Sequence, residues 1–231
     1  YNDYYISNNT FICVCGDFDP NEVSKVIREY ISKLNLTKKE LPERIIEKEP
    51  INIIKDYEEI DKGIENEMVK IGYKIPKKIF NINDDDLLRC YIDLILSCYA
   101  GTTSKLYEEY KKADLFISCG YSVRVVDDYL VITIDALTKD ADLFTKHVEK
   151  DIKNISIKED DFERKKNLYL KSYILDFDSI ESVEYNITMS LMVENKILYD
   201  EYSFIKNMNY KEAKRIIETM TFDNKSVVKV K

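Results

Sequence analysis

One histidine, His147, stands in a chain of 231 residues. Catalytic zinc sites mostly take two or three His ligands, and a Ser-His-Asp triad needs a His placed as base. A single His cannot supply that set of zinc ligands. Cysteine is also sparse. Cys13, Cys15, Cys90, Cys98 and Cys119 are odd in number and contain no C-x-x-C pair, which fits neither a disulfide framework nor a zinc ribbon. Free thiols in a reducing, cytoplasmic compartment are the expectation. Only 5 Gly and 4 Pro occur, which argues against disorder or low complexity. There is no Gly-rich phosphate loop, and no apolar run approaches the roughly 18–20 residues that a membrane span requires. Basic residues are outnumbered: the net charge is -8 and the pI about 5.0, so nucleic acid and membrane are not expected partners. The chain opens at Tyr1 without a Met, which sets the expectation of a fragment or a processed product.

What is present is a core. The sequence is 45% hydrophobic, ample for one large domain or one and a half, at roughly 150 residues each. Thr10 to Gly16 is a short apolar run rich in strand formers. Asp19-Pro20-Asn21-Glu22 then opens a helix, with Asp19 as N-cap, Pro20 at its first position and Glu22 closing a capping box. Val23, Val26, Ile27, Tyr30, Ile31 and Leu34 form one apolar stripe along it. From about Asn35 to Glu65 the pattern dissolves into a charged, proline-punctuated connector.

Regular structure resumes at Glu67. Val69, Ile71, Tyr73 and Ile75 alternate with polar or small residues in a half-buried strand stopped by Pro76. Asn83-Asp84-Asp85-Asp86 opens a helix that is apolar nearly all round, hence buried, and that stops at Ala100-Gly101. The acids suit its positive end better than a calcium loop, because the Gly and terminal Glu of such a loop are absent. A short amphipathic helix follows over Thr102 to Lys112. Two alternating strands come next, Ile117 to Val125 and Tyr129 to Ala136, joined at Asp127-Asp128 as a hairpin. The remainder is helical: Lys139 to Lys153, then helices opened by Ser156-Ile-Lys-Glu159, Asp178-Ser-Ile-Glu181 and Asn209-Tyr-Lys-Glu212, and a last strand from Ser226 to Lys231. The order implies an α+β fold, with helices over one face of a largely antiparallel sheet. The 18 Tyr pack at core edges on this reading, since no basic groove would make them stacking platforms. His147, beside Leu143, Phe144 and Val148, reads as a boundary or core histidine.

Asn8 to Cys15 echoes Asp223 to Val230, an Asn turn leading into an apolar strand. The expected organisation is therefore the tail of a preceding repeat at 1–35, a linker at 36–65 and a domain at 66–231. The Val23–Leu34 helix, parted from its native partner, is expected to dock non-natively or to drive a homodimer.

Several of these segments resemble a known family. Tyr1-x3-Tyr5-x2-Asn8-Asn9, the apolar run, Gly16-Asp17 and Asp19-Pro20 look like the end of the first domain in pitrilysin/insulinase-type zinc peptidases. Gly101-Thr-Thr-Ser104-Lys-Leu106-Tyr107-Glu-Glu before a hairpin resembles the signature of that family's second, peptidase-inactive domain. Asp161 to Lys166 and Phe177-Asp-Ser179-x-Glu181 match its paired C-terminal helices, in the bacterial processing-peptidase branch. The resemblance implies a chamber closed between two similar halves, with zinc only in the first, on an H-x-x-E-H helix. This chain lacks that motif, since Lys146-His147-Val-Glu149-Lys150 has no second His. It implies no catalytic or metal residue here, and zinc in an N-terminal half.

The resemblance also implies an Arg and a Tyr that hold the substrate backbone. Without gaps their positions fall at Lys111 and Ser118, with Tyr121 three residues on, so the pair is not intact. Lys111 could donate to a peptide carbonyl as a point charge, or be a solvated helix lysine. Tyr121 could touch substrate or pack in the core. Two functions remain open: the non-catalytic half of a zinc endopeptidase, closing a peptide chamber, or an inactive subunit partnering a separate active peptidase.

Overall fold

The computed structural model describes residues 3–34, 36, 38–43, 45, 47–195, 197 and 201–231. Tyr1 of the Tyr1-x3-Tyr5 motif and Asn35, the expected boundary, lie outside the described residues. Two compact units are found, residues 1–49 with 172–200, and residues 50–171 with 201–231.

The larger unit holds five strands: β1 (Tyr57–Ile60), β2 (Glu67–Pro76), β3 (Ser118–Val126), β4 (Tyr129–Thr138) and β5 (Lys225–Val230). They lie in the order β1-β5-β2-β4-β3. Only β1 and β5 run parallel; the other pairs are antiparallel. The alternation in β2 and β4 does what its period dictates. Val69, Ile71, Tyr73, Ile75, Leu130, Ile132, Ile134 and Ala136 all turn to one face and are buried there, with Ile71 opposite Ile134 and Tyr73 opposite Ile132. The helices α2 (Asp85–Ala100), α3 (Lys105–Lys112), α4 (Ala141–Ile152), α7 (Glu201–Asn207) and α8 (Tyr210–Thr219) contribute to the core on that face, as does the start of α5 (Glu159–Asp176). The α+β expectation holds, as a mixed sheet.

Caps set the helix starts. Asp84 accepts from the Leu87 N–H at 2.9 Å, Ser104 from Tyr107 at 3.1 Å, Asp140 from Leu143 at 2.8 Å and Asn209 from Glu212 at 3.0 Å. Asn209→Ala should therefore lower unfolding stability by about 1 kcal/mol, read from the urea midpoint at unchanged slope. An unchanged midpoint would mean that the tertiary contacts of α8 hold its first turn without the cap.

The smaller unit contains α1 (Pro20–Lys33) and α6 (Ile180–Glu194). Asp19 caps α1 as expected, but through the Asn21 N–H at 2.7 Å, closer in than the third-position bond of a capping box. No residue of α1 is buried, and Val26, Tyr30 and Leu34 of its stripe are exposed.

Four expectations need correction. The run Thr10 to Gly16 is not a strand: the backbone is extended at Thr10 (φ -131°, ψ 137°), yet the segment joins no ladder and Phe11, Ile12 and Val14 are exposed. Strand-forming residues supply the conformation, but a strand needs a hydrogen-bonded neighbour. The connector at 36–65 contains β1, invisible in the sequence because Tyr57-Glu-Glu-Ile60 is exposed at every position and so has no alternation to detect. Ser156 does not open α5, which starts at Glu159 with three acids in its first turn. The cap of α6 is Ser179 rather than Asp178, its hydroxyl accepting from the Ser182 N–H at 3.2 Å. The short α7 has no sequence counterpart among the expected helices.

Candidate functional site

Gly101 ends α2 for a steric reason. A Cβ there would sit 2.4 Å from the Ser97 carbonyl oxygen, so no other residue fits this turn without moving the helix. The chain then folds back, with the Ser104 N–H donating to the Gly101 carbonyl at 2.8 Å and buried Ser104 capping α3. The serine-rich turn thereby fixes where α3 lies. Leu106, Tyr107 and Tyr110 of α3, Cys119 and Tyr121 of β3, and Phe144, Val148 and Ile152 of α4 wall an apolar cavity of about 40 Å³.

Its aromatic rings are fixed by their edges and their hydroxyls. Tyr107 tilts against Phe116 with ring centroids 4.9 Å apart, and Tyr110 meets Phe144 edge-on at 6.2 Å. The Tyr110 hydroxyl donates to Asp151 at 2.7 Å. Burial and then that carboxylate push the Tyr110 phenol well above its usual range. Tyr121 donates to the Asp93 backbone carbonyl at 3.4 Å, and Tyr169 donates to the Asp93 carboxylate at 2.6 Å. Burial raises Tyr121 to about 12 and Cys119 to about 11. At neutral pH these groups are protonated. They can donate hydrogen bonds and offer apolar surface, but neither is poised as base or nucleophile.

Tyr121 is half-buried on the cavity wall, packed against the core. Lys111 is exposed in the last turn of α3 and is not part of that wall; its carbonyl accepts from the Asp114 N–H at 3.2 Å. Ser118 is exposed at the start of β3. The structure therefore does not gather Lys111 and Tyr121 around one cavity. His147 is half-buried, edge-on to Tyr110 at 5.8 Å, which is the boundary position expected of it. Asp85 pairs with Lys77 at 2.8 Å while Asp84 caps its helix, and Asp127 takes the hairpin turn at φ 49°. All five cysteines are free thiols. Among the described residues no three His, Cys, Asp or Glu side chains come together in a way that could hold a metal ion.

Asp93 and its partner Tyr169 were not singled out from sequence. A signal existed: Asp93 is the lone acid between Leu87 and Ala100, a stretch otherwise apolar enough to be buried. A carboxylate placed there needs a donor.

Fold and site together define an α+β domain whose cavity carries protonated phenols and apolar walls. The chain belongs to the Peptidase M16 inactive domain family, whose model matches residues 1–169. Among solved structures it is similar to a protease from Helicobacter pylori, at 20% identity over 99% of this chain and 57% of that one, with a TM-score of 0.78. It also matches a proposed M16-like peptidase from Alicyclobacillus acidocaldarius, at 16% identity over 93% of this chain and 52% of that one (TM-score 0.74). A third match is the inactive peptidase domain of a proposed zinc protease from Bordetella parapertussis, at 12% identity over 74% and 92% of the two chains (TM-score 0.57). At these identities the likeness is one of fold. The chain spans little more than half of the first two proteins. No curated protein matches it.

Proposed function

We propose that this chain is the peptidase-inactive C-terminal half of a zinc endopeptidase, which closes a peptide chamber over a zinc-binding N-terminal half and helps to hold the substrate. The observation that carries this reading is the match to an inactive-domain family over 1–169. The chain supplies a shaped apolar wall and hydroxyl donors; the zinc, with its activated water, belongs to the other half. Tyr121 and Lys111 remain the candidate substrate contacts, Tyr121 through the cavity it borders and Lys111 through its exposed ammonium. Five free thiols support a reducing cytoplasm as the compartment. The residues 1–35 are read as the end of the preceding half and 36–65 as the link to the domain at 66–231. In the absence of its partner, the exposed stripe of α1 would favour a homodimer.

Mixing tests this directly. Alone, the chain should bind no stoichiometric zinc and cleave no peptide; with the zinc-binding half encoded upstream or on a partner gene, cleavage should appear. Proteolysis with stoichiometric zinc from a clean preparation of this chain alone would overturn the reading. The second reading, an inactive subunit of a separate active peptidase, is favoured by the replaced Arg and Tyr at Lys111 and Ser118. A parent gene carrying its own H-x-x-E-H would remove it.

A further inference from the structure

The larger unit holds a second cavity, of about 220 Å³, whose walls differ in kind from those of the apolar one. Its floor is the apolar surface of Val69 on β2 and Val227 on β5. One side is α4, through Asp142 and Glu149, and the other is Asp56 and Tyr57, where β1 begins.

Charge is concentrated at the two ends. At one, the buried Lys229 ammonium lies 3.1 Å from Asp142 and 3.4 Å from Glu67. At the other, Lys225 pairs with Glu149, and Asp56 precedes the Tyr57–Val227 register pair on the Lys225 side. The Asp56 carbonyl accepts from the Val227 N–H at 2.9 Å, but its carboxylate forms no ion pair among the described residues. Each end therefore has two carboxylates to one ammonium, an excess of one negative charge.

That layout selects among guests. A metal ion needs its ligands around one point, and no three described His, Cys, Asp or Glu side chains meet in that way. An anion would face carboxylates at both ends, and a monoamine would satisfy only one end. Asp142 and Glu149 are two turns apart on α4, about 10 Å, with the valine floor between their ends of the cavity. The exposed ring of Tyr57 adds an aromatic wall, which suits both a cation and the methylenes that carry it. At a water's share of about 30 Å³, the cavity has room for about seven heavy atoms.

We propose that this cavity binds a linear aliphatic diamine, with one ammonium at the Asp56–Glu149 end, the other at the Asp142–Glu67 end, and the methylene chain over Val69 and Val227. Each ammonium gains charge-assisted hydrogen bonds from the carboxylate its end has in excess. The chain's net charge of -8 draws cations toward the site. The guest also ties α4 to β1, which among the described residues is held in the sheet by β5 alone.

The test titrates the whole chain with 1,5-diaminopentane by calorimetry, and with n-pentylamine, which has the same methylene chain and one cation. The diamine should bind at least about tenfold more tightly. Asp56→Asn, which breaks no ion pair, should weaken the diamine by about tenfold and leave pentylamine, free to take the other end, nearly unchanged. Asp128→Asn, at the exposed hairpin turn, should change neither. Diamine should shift the methyl resonances of Val69 and Val227 and slow amide exchange over 57–60. Equal affinity for the two amines would overturn the proposal, because it would reduce binding to general attraction by an acidic surface. So would equal effects of the two substitutions, unmoved valine methyls, or no diamine binding at millimolar concentration.

Discussion

Phe144→Ala is expected to lower unfolding stability by about 3–5 kcal/mol, the range for deleting a fully buried aromatic side chain. Phe144 is 1% exposed on the sheet-facing side of α4, where it meets the Tyr110 ring and walls the cavity already present. That cavity makes the upper part of the range the better expectation, since the deleted ring would join an existing void instead of letting neighbours close over it. Typical domains have only about 5–15 kcal/mol in total, so the variant should show a much lower urea midpoint at nearly unchanged slope. Leu143→Ala, one residue away and 43% exposed, should move the midpoint little. Equal losses at the two positions would contradict the packing described for α4.

That contrast between neighbours is the part of the fold legible in the sequence, because burial follows period. β2, β4 and the largely apolar α2 could be read residue by residue: Ile71, Tyr73, Leu130, Ile132, Ile92, Leu94, Ile95 and Leu96 each satisfy one simple geometric rule. The hairpin was local and was equally readable. What could not be read is non-local. β5 was recognised as a strand, but nothing in Lys225 to Val230 says that it inserts between β1 and β2, or that it runs parallel to a segment more than 160 residues earlier in the chain. β1 acquires strand character only from β5, so its own residues carry no pattern. The opposite failure occurred at Thr10 to Gly16, where the pattern is strong and no strand among the described residues pairs with it.

The candidate site divides along the same line. Gly101 and Ser104 were visible as a motif, and their positions explain it: one avoids a collision with Ser97, the other caps α3. The neighbours of Tyr121 were not visible. Asp93 and Tyr169 lie 28 and 48 residues from it, and only folding brings their hydroxyl and carboxyl groups together. An apolar position in a strand pattern is the same signal whether the side chain ends in a methyl group or in a hydroxyl that must find a partner.

Those buried hydroxyls carry the last expectation, a steep loss of stability in alkali. Tyr73 and Tyr110 are 1% and 7% exposed, and burial is the first cause that raises both phenols above their usual value. Tyr110 is raised further by its bond to Asp151. Cys90, 7% exposed, is pushed up to about 12 by burial. In each case the native state keeps a proton that the unfolded chain releases earlier, so stability is intact below the unfolded value and declines as pH rises from it toward the folded value. The decline should begin near pH 9 with Cys90 and steepen above about pH 10, where the two phenols together contribute a slope of about 2.7 kcal/mol per pH unit. Urea midpoints between pH 8 and 11.5 measure it, and a flat profile above pH 9 would refute it. Tyr73→Phe separates this linkage from general alkaline damage. The Tyr73 hydroxyl is buried without a hydrogen-bond partner, so removing it should leave stability at pH 7 unchanged or up to about 1 kcal/mol higher. The same substitution should take one proton, about 1.4 kcal/mol per pH unit, out of the alkaline slope. If the neutral-pH stability falls and the slope does not, the Tyr73 hydroxyl has a partner and its phenol is not held protonated by the core.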